Sequence, residues 1–236
     1  SSRDIWDAVC HCVRHACQAA AIDVNAVAGI GFDATCSLVV VDGSGRPVTV
    51  SLSRDDDWNV IVWMDHRAIG DADTINGLGS QVLDYVGKVI SPEMEIPKLR
   101  WLKREMPESW ARAAAFFDLP DWLVHRATGS DVRSLCSTVC KWTYLGHKGT
   151  GGEGWDAGFL ETIGLDDLAK DGFAAVGRRF AAPGERVGVL SAQARAELGL
   201  PENVAVAASL IDAYSGALGT LGVAMENGSL DGRLAL

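Results

Sequence analysis

Asp212 stands between a short apolar run and a glycine-rich run, a place where a carboxylate can take up a proton. In Asn203–Gly222 (NVAVAASLIDAYSGALGTLG), Val204–Leu210 has the length and β-branched character of a buried strand. Ala213, Ser215, Gly216, Ala217 and Gly219 then carry the spacing of a tightly packed helix. An ionisable group at a strand end, held by a turn into a helix, lies where open α/β folds put their chemistry. It can act as a general base toward a hydroxyl within hydrogen-bond reach. The same position suits a helix N-cap, and the residues alone leave both roles open. Asp65, His66 and Arg67 repeat the theme, following the apolar run Asn59–Trp63.

Other reactive side chains read as structural. Cys10, Cys12 and Cys17 share one helical segment, and Cys136 and Cys140 are spaced i, i+4. His11 and His15 form another i, i+4 pair, but no CxxC occurs, so buried or half-buried thiols are expected rather than a metal site. The GTGGEG run at Gly149–Gly154 lacks the lysine and the strand-to-helix setting of a phosphate loop, and reads as a surface loop.

The elements that must hold these residues alternate between strand and helix. Ser1–Ala21 is an amphipathic helix with a serine cap signal. Val27–Phe32 and Ser37–Val41 are strands, closed by the turn at Asp42–Gly45, and Arg46–Leu52 extends the hairpin. A helix is expected from Ala68 to Val86, a short one over Lys98–Arg104, and another over Glu108–Phe117. Asp118–Asp121 breaks the last of these before Trp122–Ala127 resumes. Asp131–Leu145 has polar serines and threonines with an apolar side. Phe159–Ile163 and Asp166–Ala169 are short helices, Gly184–Leu190 is a strand with Gly188 a bulge, and Ser191–Leu198 is a capped helix. Asn227 and Gly228 mark a turn, and Arg233–Leu236 is apolar.

The 236 residues, 48% of them hydrophobic, suffice for one large domain or two small ones. The net charge of −10 carries no basic run, which argues against a nucleic-acid partner while leaving a local basic pocket open. No secretory signal, lipidation motif or membrane-length apolar run is seen, so the expectation is a cytoplasmic protein without a membrane partner.

Three stretches, in this order, resemble the sugar-binding half of the FGGY carbohydrate kinases. They are VIVWMDHRA (Val60–Ala68), IPKLRWLKRE (Ile96–Glu105) and SLIDAYSGALG (Ser209–Gly219). GFDATCSLVVVD (Gly31–Asp42) occupies the place of that family's early sugar-contacting loop. Glu93 and Glu95 depart from the first half of the family's first signature. The Asp65-His66-Arg67 version and CSTVCKWTYLG look most like the kinases that act on ribulose.

The resemblance implies an α/β, ribonuclease-H-like domain of the actin and hexokinase type with helical insertions. It spans residues 1–236, an incomplete N-terminal sugar-binding domain. An Asp-x-Gly-Thr phosphate loop is expected before Ser1 and an ATP-binding domain after Leu236. The implied reaction is transfer of the γ-phosphoryl of ATP, with Mg2+, to a terminal hydroxyl of a ketopentose, D-ribulose first. Another ketose or polyol (L-ribulose, xylulose, ribitol) and a catalytically silent sugar-binding domain remain alternatives.

Asp212 matches the family's catalytic aspartate, Asp65 a polar residue facing sugar hydroxyls, and Lys141 a lysine directed at the sugar in ribulokinase-like members, although Lys141 reads equally as part of a solvated helix face. Thr35 and Cys36 match a loop that touches the sugar in xylulose kinases, with different side chains, so a backbone role alone carries over. His66 joins Asp65 as a weaker sugar-contact candidate, and Arg67 reads more readily as a surface ion pair. No metal ligand and no cofactor contact are assigned in this chain. A homodimer is the family's common assembly.

Overall fold

β3 (Leu38–Val41), the fourth strand segment's neighbour and the third in the chain, divides the protein's two apolar clusters. Alternate side chains of a strand point to opposite faces. Leu38 and Val40 accordingly join one cluster, and Val39 and Val41 the other, all four of them buried. The run Ser37–Val41 lacks polar alternation because neither face meets water.

The computed structural model describes residues 1–223. The turn at Asn227 and Gly228 and the apolar Arg233–Leu236 lie outside the described residues. The chain opens with α1 (Ser2–Ala19), whose Ser1 side chain accepts from the Asp4 amide. Two short strands follow, β1 (Gly29–Ile30) and β2 (Asp33–Ala34), then β3 and β4 (Val60–Ile61). Next come α2 (Ile69–Asn76), α3 (Glu95–Glu105), α4 (Pro107–Arg112), β5 (Ala115–Asp118) and α5 (Leu119–Thr128). β6 (Arg133–Ser134) leads into α6 (Leu135–Lys141), and α7 (Ala157–Thr162) and α8 (Asp166–Lys170) follow. β7 (Phe180–Ala181), β8 (Arg186–Val189) and α9 (Ala192–Leu198) precede β9 (Ala205–Ala207), β10 (Leu210–Ile211) and α10 (Asp212–Leu221).

The pairing is mixed. β1 runs parallel to β9, which pairs antiparallel with β8, and β2 runs parallel to β10. β3 lies between β4 and β5, antiparallel to both, and β6 is parallel to β7. The register of β8 shifts between Arg186 and Gly188, the bulge expected at Gly188. α1 lays Trp6 and Cys10 into the cluster shared with α5, α9 and β9. Trp6 Nε1 donates to Glu197 at 2.6 Å, and the Arg126 guanidinium lies 4.8 Å from the Trp6 ring while pairing with Glu197.

Several expected elements differ. The long helix Ala68–Val86 is two pieces, because Gly77, Leu78 and Gly79 end α2 and a 3-10 turn covers Gln81–Val86. The expected helix Glu108–Phe117 stops at Arg112. Its last residues form β5 instead, because Ala115–Asp118 completes the ladder of β3. Asp118–Asp121 does not break a helix; it starts α5, with Pro120 in the first turn, where its missing N–H costs nothing. Arg46–Leu52 forms no regular strand, although Val48 donates to Val40 O and Val50 to Trp58 O. Val204–Leu210 divides into β9 and β10, separated at Ala208 and Ser209, and the two pieces pair with different strands. The GTGGEG loop is only partly a surface feature, since Gly154 is buried against Leu145 and Tyr144.

Candidate functional site

Asp212 and Thr35 leave the sheet side by side. β2 and β10 pair in parallel with Ile211 opposite Ala34, so the next residue on each strand emerges at the same edge. Asp212 is the first residue of α10, and Ile211 holds the cap position without a side-chain bond. The capping role is therefore not filled by Asp212. Its Oδ1 accepts from the adjacent Ala213 amide at 2.8 Å rather than from an amide two or three residues on. The carboxylate is exposed at the start of a helix, where the helix dipole favours an anion.

The ends of β3, β4 and β5 build a second wall. Ser37 Oγ accepts from the Trp63 amide at 3.1 Å and lies 3.3 Å from Thr35 Oγ1. Ser37 O accepts from Leu119 at 2.8 Å, tying the start of α5 to the start of β3. Cys36 is buried here, and burial pushes its thiol well up. Asp65 lies just past β4 and binds Arg67 through the Arg67 amide, Nε and Nη2 at 2.9, 2.9 and 2.6 Å. Burial pushes the Asp65 carboxyl up, and the Arg67 bonds outweigh it, leaving the group below the usual carboxylate range. Arg67 also donates to Val50 O at 2.7 Å and lies 4.8 Å from the Trp101 ring, the ion-pair reading with added packing.

Behind these walls sits a charge cluster that the sequence did not announce. Glu95 and Lys98 are fully buried one turn apart on α3, with Nζ 3.5 Å from Glu95 Oε2. Asp118, at the end of β5, accepts from Trp142 Nε1 at 2.9 Å through Oδ2, and its Oδ1 has no partner among the described residues. Burial, aided by the nearby Asp121, pushes the Asp118 carboxyl up to about 7, and burial also raises Glu95 well above its ordinary value. Lys98 acts on Asp65, Glu95 and Asp118, and Lys141 acts on Glu95, Asp118 and Cys36. Cys36, Asp65 and Lys141 are thus gathered around one buried set of charges. His66 is not part of it: its Nε2 lies 3.2 Å from Glu93 on an exposed face.

Asp121 is the second residue set that sequence reasoning missed. It accepts from the Ser134 amide at 2.8 Å, Ser137 Oγ at 2.6 Å and Ser209 Oγ at 2.8 Å. Ser134 Oγ in turn donates to Ser209 O at 2.6 Å. These bonds fix α6, which ends at Lys141, to the bend that delivers Asp212. An aspartate two residues inside a Pro-containing helix start was the available signal.

A cleft of about 530 Å³ lies at the other end of β3 and β5 and is lined in part by Asp42, His125, Arg133 and Arg179. The site is instead an open edge. In the glycine loop the Gly151 amide already donates to Glu153 Oε2 at 2.7 Å, so it offers no phosphate cradle. Among the described residues no group of three or more His, Cys, Asp and Glu side chains is placed to hold a metal. No described helix is long and apolar enough to cross a membrane.

The model of the FGGY family of carbohydrate kinases, N-terminal domain, matches residues 1–219. The chain belongs to the FGGY family of carbohydrate kinases. This FGGY chain is 50% identical over 224 residues to the FGGY carbohydrate kinase domain-containing protein of Danio rerio, covering 94% of the chain and 40% of that protein. It is 43% identical over 236 residues to a D-ribulokinase of Saccharomyces cerevisiae, covering 96% of the chain and 33% of that protein. It therefore spans well under half the length of these curated relatives. Among solved structures, xylulose kinase of Lactobacillus acidophilus superposes with a TM-score of 0.72 at 20% identity, over 94% of this chain and 41% of that one. Gluconate kinase of the same organism gives 0.73 at 20% identity, over 94% and 40%. These likenesses bear out the expected actin- and hexokinase-type α/β fold.

Proposed function

We propose that the full-length protein phosphorylates a ketopentose, D-ribulose first, on a terminal hydroxyl, and that these residues form its sugar side. The observation that carries this is the β2–β10 register, which sets an exposed Asp212 beside Thr35 at a sheet edge. The 43% identity to a D-ribulokinase supports ribulose over other ketoses. Phosphoryl transfer asks the protein for an oriented nucleophile and little covalent help. Asp212 accepts the proton of the attacking hydroxyl, with Asp65 and Lys141 on other hydroxyls and the Thr35–Cys36 backbone beside them. His66 is a peripheral contact.

ATP supplies the phosphoryl group, with Mg2+ as its companion ion, and both belong to parts of the protein beyond this site. We accordingly infer that residues 1–236 alone bind sugar without turning it over. The proposal also takes residues 1–236 as one sugar-binding domain with α10 leading toward the ATP domain, in a cytoplasmic protein that can form homodimers.

A coupled assay of the full-length protein with D-ribulose, L-ribulose, xylulose and ribitol tests the reading. D-ribulose is expected to give the highest kcat/KM, and Asp212→Asn to lose turnover by two to four powers of ten, roughly the worth of a general base. Turnover retained by the variant would remove Asp212 from the role, and no turnover of any sugar would favour a silent sugar-binding domain.

A further inference from the structure

α6 presents two thiols to the strand and helix that carry Asp212. Cys136 and Cys140 lie one turn apart on α6, both half-buried. Tyr214, two residues beyond Asp212 on α10, places its hydroxyl 3.5 Å from Cys140 Sγ. Lys141 follows Cys140 directly, and the buried Cys36 faces the pair from the loop after β2.

We propose that Cys140 is a nucleophilic thiolate and Cys136 its resolving thiol, together a site for exchange with a low-molecular-weight disulfide. A thiolate needs a donor, and the Tyr214 hydroxyl lies within reach of Cys140 Sγ at 3.5 Å, with Cys136 one turn away and the Lys141 charge nearby. It sits in the last turn of α6, where the helix dipole opposes an anion, so these local groups supply the stabilisation. They bring the Cys140 thiol down to about 6, while the Cys136 thiol is pushed up by its bond to Cys140 and by burial, and Tyr214 is raised to about 12.

In the first step the Cys140 thiolate attacks one sulfur of the disulfide RSSR. A Cys140–SR bond forms, the S–S bond of RSSR breaks, and RS⁻ leaves and takes a proton from water. Cys136 then loses its proton to solvent and attacks the Cys140 sulfur, expelling the second RS⁻. Two protein thiols are oxidised by two electrons and RSSR is reduced to two thiols. Residues four apart on a helix have Cβ atoms about 5–6 Å apart. A disulfide needs about 3.5–4.5 Å, so the last turn of α6 must open slightly to close the bond. Oxidation changes the contact between Cys140 and Tyr214. On the sugar-kinase reading, this places a redox control beside the base.

The test uses the 236-residue chain without sugar, so it stands apart from the kinase reading. The chain is exposed to oxidised glutathione, quenched in acid, and mapped by mass spectrometry. The unsubstituted protein is expected to accumulate the Cys136–Cys140 disulfide. Cys136→Ser is expected to stop at glutathione on Cys140, and Cys140→Ser to leave Cys136 unmodified.

Iodoacetamide labelling of the unsubstituted chain needs no variant. At pH 6 Cys140 should react about tenfold faster than the exposed Cys12, with a half-maximal rate near pH 6. Tyr214→Phe should raise that half-point by about one pH unit. Cys140 labelling no faster than Cys12 at pH 6, or Cys136→Ser forming no mixed disulfide at Cys140, would overturn the proposal.

Discussion

Ser209 donates its hydroxyl to Asp121 Oδ1 at 2.8 Å across 88 residues of sequence. That bond joins the start of α5 to the bend between β9 and β10, one residue before the strand that delivers Asp212. The Ser134 amide and the Ser137 hydroxyl bind the same carboxyl, so a single buried side chain holds α5, α6 and β10 in register. Asp212 and Lys141 are therefore both positioned by a carboxyl that bonds to neither side chain.

Removing that carboxyl should be costly. Asp121→Ala leaves three donors buried without their acceptor, and each bond to a charged group contributes about 1.5–3 kcal/mol. The expected loss is about 3 kcal/mol or more. Ser209→Ala, which removes one bond, should lose about 1–2 kcal/mol. Urea denaturation measures both, and hydrogen exchange at Leu210 and Ile211 should accelerate in each variant. Equal stability of Asp121→Ala and the parent chain would show that the network does not hold the bend.

The buried Glu95–Lys98 pair predicts a non-additive pattern. Lys98 is the cation that Glu95, Asp118 and Asp65 share. Breaking a buried pair by deleting one partner typically costs about 3–5 kcal/mol, because the other charge stays buried. Lys98→Met should fall in that range at pH 7. Adding Glu95→Gln should recover about half of the loss, since the stranded carboxyl is then neutral. Strict additivity in a double-mutant cycle would mean that the two groups do not sense each other.

Asp118 gives a pH dependence with a definite sign. Burial, with Asp121 next to it, raises its carboxyl to about 7, against the bond from Trp142. The folded protein then holds this proton more tightly than the unfolded chain, whose aspartates titrate near ~3.9. The contribution is fully present below that lower value and is lost as pH rises through 7. Glu95 and Asp121 are raised as well and act in the same direction, so the comparison must isolate one group. Asp118→Asn, which keeps an acceptor for Trp142, should flatten the decline in urea stability between pH 5 and pH 8 by on the order of 2–4 kcal/mol. Identical slopes in the two proteins would contradict the assignment.

The strand ends were legible in the sequence, and the groups that brace them were not. Asp212, Asp65 and Thr35 each follow an apolar run short enough to be a strand, a local pattern that a single window displays. Asp121 binds partners 13, 16 and 88 residues away, which no periodicity records. Ala115–Asp118 continues a helix-forming stretch in composition and becomes a strand only because β3 offers it a ladder. That tertiary override also hid Asp118, which read as part of a helix break. Glu95 and Lys98 sit one turn apart like any surface ion pair, and only the packing of α3 makes them buried.

Gly154 should resist substitution where Gly158 accepts it. A Cβ on Gly154 would lie 2.6 Å from Leu145 O and 2.7 and 2.8 Å from the Tyr144 ring, both on buried residues. Gly154→Ala should therefore cost about 1–3 kcal/mol by overpacking. Gly158 lies within α7, and its Cβ would meet only Asp156 Oδ1 at 3.6 Å. Gly158→Ala should gain up to about 1 kcal/mol from helix propensity. Thermal or urea melts of the two variants decide the matter, and equal midpoints would show that the loop around Gly154 yields.

Lys141 is the group whose loss should separate binding from folding. It ends α6, is half-buried, and faces Asp118, Glu95 and Cys36 without a direct ion pair among the described residues. On the proposed reading its ammonium meets a sugar hydroxyl, and a hydrogen bond to a charged group contributes about 1.5–3 kcal/mol. Lys141→Met should weaken D-ribulose binding to this chain by about tenfold or more in calorimetry. Its urea midpoint should shift by less than about 0.5 kcal/mol, as for other changes outside the packed core. A variant that binds D-ribulose as tightly as the parent would take Lys141 out of the site. A parent chain that gives no heat with D-ribulose, xylulose or ribitol would count against the whole placement of the sugar at the Asp212 edge.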